Sequence, residues 1–373
     1  MRPLLDSEPP SVDANGPMTA MSSELVPAHD PRGTSSSPAA DIERARLDEV
    51  RALMLELAVG ERFERLGAIV QEHLSTGGKR MRARLALASL EALGADVAGC
   101  LPWAAACELL HNAALVHDDL QDHDALRRGS FTVWVRHGQA QAINAGDLML
   151  MLPYLALERL DVEPGLKWGL TRALARRAEA TVRGQSLELD LLGAGHWDWA
   201  SYSAAALGKT SALIALPVEG AALLAGRAPA RAAALGDAAQ RLGLLFQIQD
   251  DVLDLYGEKG RAEPGGDLRQ GRVTALVVEH LRSRPEDRDW LISLLAQPET
   301  ETPLAQVEEA AARFERGGAL EATLGRIGAL RQELASDPVL EEEPGLKAVL
   351  TAAVERALEP LSALGRDLGA SRV

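Results

Sequence analysis

The sequence predicts an all-α protein built as one large helical bundle. Its 373 residues are 47% hydrophobic but only 3% aromatic, and Ala and Leu dominate. Both are strong helix formers, whereas the Val, Ile and Thr alternation that is typical of strands is scarce. Apolar residues recur at spacings of three and four from about Asp41 almost to the C-terminus, as they do on one face of a helix. These observations together favour helices packed around a large apolar core.

The chain divides into a tail and a single helical domain. Residues 1–40 are rich in Pro, Ser, Gly and Ala without periodicity, which predicts a disordered N-terminal tail. Within residues 41–373, short breaks separate the periodic stretches, and we interpret them as turns between helices rather than as domain linkers. The breaks fall at Ser75–Gly78, Gly94–Gly99, Arg128–Ser130, Pro164–Gly165, Gly193–Gly195, Gly257–Asp267 and Gln297–Pro303.

Composition excludes several classes of function. A formal net charge of −15 argues against nucleic-acid binding, which needs a basic face. Cys100 and Cys107 lie in apolar, helix-like sequence without metal-type partners nearby, so we expect buried, reduced thiols in a cytoplasmic protein. The N-terminus shows no apolar signal region, and the longest apolar run, from Leu148 to Leu157, is about half a membrane span. We therefore expect no stable membrane anchoring.

The stretch LVHDDLQDHDALRRG crowds acidic residues at the end of an apolar segment. Asp118 and Asp122 are four residues apart and would stack on one helical face, with Asp119 beside them. Two carboxylates about 4 Å apart repel by roughly 4 kcal/mol at an effective dielectric near 20. On a half-buried helix this repulsion needs a counter-charge, and Mg²⁺, which binds carboxylate and phosphate oxygens, is the natural one. By itself, the motif could equally be a helix end of solvated acids.

The stretch FQIQDDVLDLYG repeats the pattern and weakens that alternative. Asp250 and Asp254 are again four residues apart, Asp251 lies beside them, and the preceding residues are apolar. If the two helices face each other, they form a negatively charged mouth above an apolar core, able to hold about two or three Mg²⁺ ions. The matching ligand is a polyanion with an apolar tail, and a prenyl diphosphate fits that description.

Basic residues at turns supply the positive charge that a diphosphate needs besides metal. GGKRMR is a Gly-rich turn that opens a helix, where free N–H groups favour an anion, and Lys79 and Arg82 should share one helical face. Arg127 and Arg128 follow the first acidic cluster, and guanidinium groups bind phosphate in bidentate fashion. Each residue alone could be structural. Two further candidates are His111, seven residues before Asp118, and Lys209 in GKT.

Five motifs, GGKRMR, ELLHNAALVHDDLQD, RRG, GKT and FQIQDDVLD, occur in this order between about residues 70 and 290. In content, order and spacing they resemble the all-trans isoprenyl diphosphate synthases, and geranylgeranyl diphosphate synthases among them. The resemblance implies an all-α fold of ten or more helices around a central apolar cavity, usually as a homodimer. It also implies head-to-tail condensation of isopentenyl diphosphate with allylic diphosphates to give a linear trans-prenyl diphosphate.

The resemblance further implies a role for each matching residue, together with about three Mg²⁺ ions per active site. The ligands of Mg²⁺ would be Asp118, Asp122, Asp250 and Asp254, supported by Asp119 and Asp251. The allylic diphosphate would bind Arg127 and Lys209, and isopentenyl diphosphate would bind Lys79, Arg82, His111 and Arg128. Thr210 and Gln247 would lie near the developing allylic cation, and Gln185 would lie near the substrates.

One segment departs from the family pattern. The family often carries GKPxGxD after the second acidic cluster, and its lysine meets the allylic diphosphate. Here the text is GEKGRAEPGGDLRQGR, in which Gly265 and Asp267 align but the column of the lysine falls on Ala262. We expect Lys259 or Arg261 to substitute from a shifted loop.

The residues one helical turn before Asp118 bear on the length of the product. They are Ala113 and Ala114, both small, whereas family members that stop at fifteen carbons usually place a bulky side chain here or carry an insertion in the motif. The sequence therefore favours a product of twenty carbons or longer over farnesyl diphosphate. The floor of the tunnel is expected deeper, in the stretch from Phe131 to Val135 or from Leu148 to Leu152.

Two other activities remain open at this level. A class I terpene cyclase also combines an aspartate-rich helix with Mg²⁺, but its second metal motif usually resembles N-D-x-x-S-x-x-x-E, not the second aspartate cluster present here. A non-catalytic subunit of a heteromeric prenyl synthase tends to lose one cluster, whereas this chain keeps both. Both features favour the synthase.

Overall fold

The predicted all-α class is confirmed. A computed structural model describes residues 38–60, 64–195, 197–257 and 264–367, and about four fifths of these residues lie in helices. The only strands within those ranges form a two-residue antiparallel hairpin directly after the first acidic cluster.

The N-terminal half of the chain contributes α1 to α6 and the hairpin. In chain order the elements are α1 (Pro38–Ala58), α2 (Glu64–Ser75), α3 (Met81–Ala92), α4 (Leu101–Gln121), β1 (Leu126–Arg127), β2 (Ser130–Phe131), α5 (Val133–His137) and α6 (Gln139–Glu158).

The C-terminal half is helical in its described parts. Its helices are α7 (Pro164–Ala194), α8 (Trp199–Ala206), α9 (Ala212–Leu224), α10 (Pro229–Tyr256), α11 (Gly266–Arg269), α12 (Ala275–Ser283), α13 (Arg288–Leu295), α14 (Leu304–Arg316), α15 (Ala319–Ala335), α16 (Pro338–Glu341) and α17 (Pro344–Asp367), with a π-helical turn at Leu207–Ser211 and 3₁₀ turns at Pro285–Asp287 and Glu299–Glu301.

The predicted breaks coincide with helix ends at all but two places. Arg128–Ser130 forms the turn of the hairpin between α4 and α5. Pro164 and Gly165 open α7 instead of interrupting the helical pattern, and the actual break is the stretch before them. Proline is favoured in the first turn of a helix because its missing N–H would have no partner there, so the predicted break was placed too late. Cys100 and Cys107 are buried and unpaired, as predicted.

Helix α9 lies at the centre of the bundle. Its residues from Ala212 to Leu223 are all buried, and it packs against α3, α4, α7 and α10. The continuous helical stretch Trp199–Leu224 is long and apolar enough to cross a membrane, but 72% of its apolar 18-residue segment is buried inside the protein. Its apolar character is therefore explained by its place in the core.

The same central helix positions the two acidic segments. Helices α4 and α10 both pack on α9, while the π-helical turn Leu207–Ser211 contacts both α7 and α10. The C-terminal parts of α4 and α10, which carry the two aspartate clusters, can therefore be bridged by side chains from the π-helical turn.

Candidate active site

The first aspartate cluster forms the end of α4. The N–H of Asp122, the residue that caps the helix, donates to the carbonyl of Asp118 at 2.8 Å. Asp118 and Asp122 are half-buried, and Asp119 is only 1% exposed. The alternative of a solvated acidic helix end is therefore wrong, because these carboxylates are largely withdrawn from water.

Each carboxylate of this cluster has a cation from another element. The Nζ of Lys209 lies 2.9 Å from Oδ1 of Asp118. The Nε of Arg127, on the hairpin, contacts Oδ1 of Asp119, and a guanidinium nitrogen of Arg272 contacts Asp122. Within the described ranges, no three His, Cys, Asp or Glu side chains are grouped as a ready metal site. In this arrangement protein cations supply the counter-charge that the acids need.

Burial and pairing set different pKa values for neighbouring aspartates. Burial raises the pKa of Asp118, but Lys209, Arg272 and Arg127 together outweigh burial, so that the pKa lies below its ordinary value. Burial raises the pKa of Asp119 to about 7 even though Arg127 opposes that shift. Oδ2 of Asp119 is buried and has no hydrogen-bond partner. Asp119 is thus a carboxylate with an unsatisfied oxygen, which is costly in a protein interior.

Two glycines explain the position of Lys209. A Cβ on Gly184 of α7 would lie 2.1 Å from the backbone nitrogen of Lys209, and one on Gly208 would lie 2.6 Å from Cα of Gly184. Only glycine allows the π-helical turn to approach α7 so closely. The approach brings Lys209 against Glu188 of α7 as well as Asp118, and these two acids raise its pKa more than burial lowers it.

The second aspartate cluster lies near the C-terminus of α10 and its members differ in exposure. Asp250 is exposed, whereas Asp251 and Asp254 are each 3% exposed. Asp251 accepts hydrogen bonds from the Tyr202 hydroxyl at 2.8 Å and from the backbone N–H of Ala275 at 2.7 Å. Asp251 therefore fixes α10 to its neighbours.

Asp254 is held by the segment that follows α10. Its Oδ2 accepts from the backbone N–H of Asp267 at 2.9 Å, and its carbonyl accepts from Gly265 at 2.8 Å. Asp254 thereby anchors the start of α11, where the family pattern GKPxGxD is altered.

A short series of contacts connects the two clusters. Thr210, next to Lys209, donates its hydroxyl to Oε1 of Gln247 at 2.8 Å, and Nε2 of Gln247 donates to Asp251 at 3.1 Å. On the other side, Arg272 contacts Asp122 and lies 3.7 Å from Oδ1 of Asp267. The ends of α4 and α10 therefore border one site, as the sequence predicted.

Basic groups collect about two turns before Asp118 along α4, between α3 and α4. A guanidinium nitrogen of Arg82 lies 3.2 Å from Nε2 of His111, and Arg128 donates to the carbonyl of Gly77. Burial, together with Arg82 and Arg128, lowers the pKa of His111 well below its ordinary value. His111 is therefore neutral, and because Arg82 can only donate, Nε2 accepts and Nδ1 carries the proton.

Lys79 departs from the predicted geometry. Helix α3 begins only at Met81, and its N-cap Arg80 has a left-handed backbone with φ of 46°, so Lys79 does not share a helical face with Arg82. Lys79 instead lines a groove of about 470 Å³ with Arg84 and Phe246. The expected shared face was wrong because the spacing rule applies only inside a helix.

The remaining predicted residues are placed as follows. Gln185 of α7 donates to Gln121, the last residue of α4, at 2.9 Å, and so lies at the mouth. Ala113 is fully buried in α4 and Ala114 is half-buried. Phe131 is 59% exposed and cannot close an internal tunnel, whereas Met149 and Leu152 of the second proposed stretch are buried. Lys259 and Arg261 lie outside the described residues.

Sequence reasoning missed three residues of the site: Glu188, Tyr202 and Arg272. Glu188 lies three residues after Gln185 and therefore on the same side of α7, a spacing that could have revealed it. Arg272 lies five residues after Asp267 in the altered segment, whereas the predicted substitutes Lys259 and Arg261 precede that aspartate. Tyr202 carries no local signal, because its role depends on the packing of α8 against α10.

Comparison with known proteins agrees with this geometry. A sequence profile described as polyprenyl synthetase matches residues 63–312. The short chain isoprenyl diphosphate synthase of Methanothermobacter thermautotrophicus is 38% identical over 257 residues, which cover 67% of this chain and 77% of that protein.

Solved structures show the same architecture. A crystal structure of geranylgeranyl pyrophosphate synthase superposes with a TM-score of 0.77 at 28% identity, covering 85% of this chain and 97% of that one. A polyprenyl synthase from Caulobacter crescentus, crystallised with calcium and isoprenyl diphosphate, gives 0.72 at 27% identity, covering 85% and 96% of the two chains. With the profile match over most of its length and the paired aspartate clusters in place, this chain belongs to the polyprenyl synthetase family.

Proposed function

We propose that this protein is a trans-prenyltransferase that joins isopentenyl diphosphate head-to-tail to allylic diphosphates. The product is a linear prenyl diphosphate, geranylgeranyl diphosphate or a longer chain. The observation that carries this proposal is the convergence of both aspartate clusters at one mouth, with the Arg82 and His111 pair farther along α4. Asp118 and His111 are seven residues apart on one helix, or about 10 Å along its axis, which leaves room for two diphosphates.

The acidic residues fit Mg²⁺, which the family generally uses. Carboxylate oxygens are the ligands that this hard cation prefers, and the unpartnered buried oxygen of Asp119 marks a place where positive charge is favourable. Asp118, Asp122 and Asp250 would hold the ions, about three per site, with Asp254 ordering the adjoining loop. Bound Mg²⁺ would neutralise the diphosphate that leaves the allylic substrate.

Three cations of the chain would bind the allylic diphosphate. Lys209, Arg127 and Arg272 already surround the first cluster, each paired with an aspartate. Arg272 stands where it can compensate for the loop lysine that the sequence lacks at Ala262. These groups stabilise the charge that grows on the departing diphosphate as the C–O bond breaks.

The basic groups between α3 and α4 would bind isopentenyl diphosphate. Arg82 and Arg128 supply charge, and neutral His111 offers its Nδ1–H as a hydrogen-bond donor. Lys79 would join from the neighbouring turn. The double bond held here attacks the allylic cation to form the new C–C bond, and a proton is then lost, for which the released diphosphate is the acceptor.

Thr210 and Gln247 would border the reacting carbons. Because Thr210 donates to Oε1 of Gln247, the hydroxyl oxygen keeps its lone pairs available for the allylic cation. Nε2 of Gln247 is held by Asp251, which fixes the amide in one orientation. These dipoles are in place before the charge develops, as electrostatic catalysis requires.

Product length would depend on α4 below the first cluster. The side chains of Ala113 and Ala114 are small and leave space beside that turn for a longer prenyl chain, which favours a product of twenty carbons or more. Replacing Ala113 with Phe is expected to shorten the main product by about one isoprene unit, as measured by mass spectrometry. An unchanged product distribution in Ala113→Phe and in Ala114→Phe would contradict this assignment.

An exposed apolar face supports a homodimer. Ile143, Met151 and Leu155 are exposed on one side of α6, and Trp168 and Val182 are exposed on α7, which packs beside it. Exposed apolar side chains on adjoining helices are typical of protein contact surfaces. We expect light scattering to give the mass of a dimer, and Met151→Glu to reduce it to that of a monomer.

The protein would act in the cytoplasm.

The proposed reaction can be tested with purified protein, Mg²⁺, labelled isopentenyl diphosphate and each of three primers: dimethylallyl, geranyl and farnesyl diphosphate. We expect linear prenyl diphosphates in mass spectra and loss of turnover on chelation of the metal. Incubation with geranylgeranyl diphosphate alone is the control for the cyclase alternative, because a cyclic hydrocarbon there would favour cyclisation. Failure with every primer would contradict the proposal.

A further inference from the structure

Helix α4 carries a buried acid that the proposed reaction does not use. Glu108 lies three residues before His111 and is 4% exposed. Its Oε2 accepts a hydrogen bond from the backbone N–H of Ala83 at 3.0 Å. A carboxylate without a function should not be buried among groups that are proposed to bind an anion, because it repels that anion.

The partner of Glu108 is the first turn of α3. The N-cap of α3, Arg80, has a left-handed backbone and its side chain makes no capping hydrogen bond. The first N–H groups of a helix have no partner within the helix, and a carboxylate there also interacts favourably with the helix dipole. Glu108 therefore caps α3 from a different helix, at the third residue of α3.

This cap acts next to the proposed isopentenyl diphosphate site. Arg82 precedes Ala83 in the same turn, and its guanidinium meets His111 one turn along α4 from Glu108. The side chain of Asn112 ties the carbonyl of Glu108 to His73 of α2, through bonds of 2.8 and 3.2 Å. Glu108 thus stands at the junction of α2, α3 and α4.

The charge of Glu108 also balances its neighbours. Burial lowers the pKa of Arg82 to about 10, and the negative charge of Glu108 opposes that shift. The same carboxylate opposes the lowering of the Arg128 pKa. Glu108 therefore lies close enough to Arg82, which is half-buried, and to Arg128, which is exposed, to influence both guanidinium groups.

We propose that Glu108 is a positioning residue for isopentenyl diphosphate: it fixes the first turn of α3, and with it Arg82, opposite His111 and does not touch the substrate. This inference rests on the proposed function. The effect of Glu108 is geometric, because the length of its side chain, which brings the carboxylate to the N–H of Ala83, fixes the position of the first turn of α3.

Two conservative variants test geometry against charge. Glu108→Gln keeps the length and an acceptor oxygen, whereas Glu108→Asp keeps the charge but shortens the side chain by one methylene. We expect Glu108→Asp to raise the KM for isopentenyl diphosphate about tenfold and to leave the KM for the allylic substrate within about twofold. Glu108→Gln should stay within about twofold of the wild type for both substrates.

A stability control separates positioning from a general loss of structure. Asp337 is another buried acid, which caps α16 at the N–H of Val339 and pairs with Arg241. Asp337→Ala should lower the melting temperature without changing the ratio of the two KM values. In Glu108→Asp, faster hydrogen exchange at Ala83 should accompany the change in KM.

The outcomes are distinct. If the wild type turns over but Glu108→Asp leaves the ratio of KM values unchanged, the positioning role is overturned while the proposed function stands. If Glu108→Gln is as impaired as Glu108→Asp, geometry is not the cause and the inference is also overturned. If the wild type shows no turnover with any primer, the proposed function itself fails, and the hydrogen exchange at Ala83 still reports whether Glu108 holds α3.

Discussion

The acidic and basic ends of the site differ in whether neighbouring groups neutralise their clustered like charges. At the acidic mouth, each aspartate of the first cluster contacts a cation from another element: Lys209, Arg127 or Arg272. At the basic corner, defined by Arg82, His111 and Arg128, the guanidinium groups contact a neutral imidazole and a carbonyl. The mouth is therefore internally neutralised, while the corner keeps positive charge for an incoming anion.

This difference indicates how each end would receive its ligand. Mg²⁺ bound at the mouth would compete with ammonium and guanidinium groups for the aspartates, and those cations would then be available to bind the diphosphate. The corner needs no such exchange, because Glu108, with a smaller effect of Asp119 on Arg128, offsets only part of its charge. Loss of an acid at the mouth should consequently be more damaging than a disturbance at the corner.

The largest expected effect is that of Asp118→Asn, which tests the mouth directly. Asn keeps the size of the side chain but removes the charge that holds Lys209 and would hold Mg²⁺. We expect turnover to fall on the order of 10³-fold, because charge stabilisation at the leaving group is lost. Steady-state incorporation of labelled isopentenyl diphosphate over a range of Mg²⁺ concentrations measures this effect.

Asp190→Asn is the matched control, since Asp190 is an exposed acid on α7. It should keep turnover within about twofold of the wild type, as most surface substitutions do. An Asp118→Asn enzyme that retained a tenth of its turnover would remove the first cluster from the chemistry.

Arg272→Ala should have the next largest effect and bears on the altered loop. If Arg272 compensates for the lysine missing at Ala262, its loss removes a charge-assisted hydrogen bond of about 1.5–3 kcal/mol. The KM for the allylic substrate should rise between about tenfold and a hundredfold, while that for isopentenyl diphosphate stays near its original value.

Calorimetric titration with inorganic pyrophosphate and Mg²⁺ gives a second measurement, independent of turnover. Arg272→Lys should recover part of the affinity, because it keeps the charge without the planar fork. Equal affinity in the wild type and in Arg272→Ala would show that another residue meets the diphosphate.

The sequence predicted the helices and the mouth because both depend on local spacing. Two carboxylates four residues apart on an apolar helix can be recognised without knowledge of the fold, and both clusters border one site in the structure. Gly208 of GKT and Gly184 of GQ also belong to short motifs that are recognisable in the sequence. In the structure these two glycines allow α7 and the π-helical turn to touch.

What the sequence missed depends on tertiary packing. Glu108 looks like one more acid on an amphipathic helix, and only its contact with the first turn of α3 shows a role. Lys79 was misplaced because the left-handed backbone at Arg80 delays the start of α3, and a non-glycine residue in that conformation is rarely predictable. Arg272 reaches Asp122 across 150 residues of chain, which no periodicity reveals.

The two ends should also respond oppositely to pH, and His73→Gln, at a residue that Asn112 connects to α4 beside the basic corner, tests this end. Burial, assisted by Arg128, lowers the pKa of His73 from 6.5 to about 4. Between these values the unfolded chain binds the proton more readily, so stability is complete above pH 6.5 and is lost as the pH falls toward 4. At pH 5 the loss attributable to His73 is about 2 kcal/mol.

Denaturant unfolding at pH 7 and pH 5 measures this contribution as the difference between the wild type and His73→Gln.

Asp119→Asn tests the opposite pH dependence at the mouth. Since burial raises the pKa of Asp119 to about 7, its protonation on acidification favours the folded state. Variants with the same pH slope as the wild type would show that neither group contributes as proposed.

Gly78→Ala should have the smallest effect and probes the corner without removing a charge. Gly78 has φ of 125°, and a Cβ there would lie 2.5 Å from Cζ of Arg128. The added methyl group must displace the guanidinium from the carbonyl of Gly77, and the backbone strain costs about 1 kcal/mol. We expect the KM for isopentenyl diphosphate to rise about threefold with an unchanged KM for the allylic substrate.

Gly94→Ala separates the two causes, because Gly94 also has a positive φ, 79°, but a Cβ there meets nothing within 4 Å. Both variants should lose some thermal stability, and only Gly78→Ala should alter the KM for isopentenyl diphosphate. If Gly94→Ala changes that KM as much, the effect comes from backbone strain and not from Arg128. If neither variant changes it, Arg128 does not contact this substrate, and the excess charge of the basic corner must be carried by Arg82.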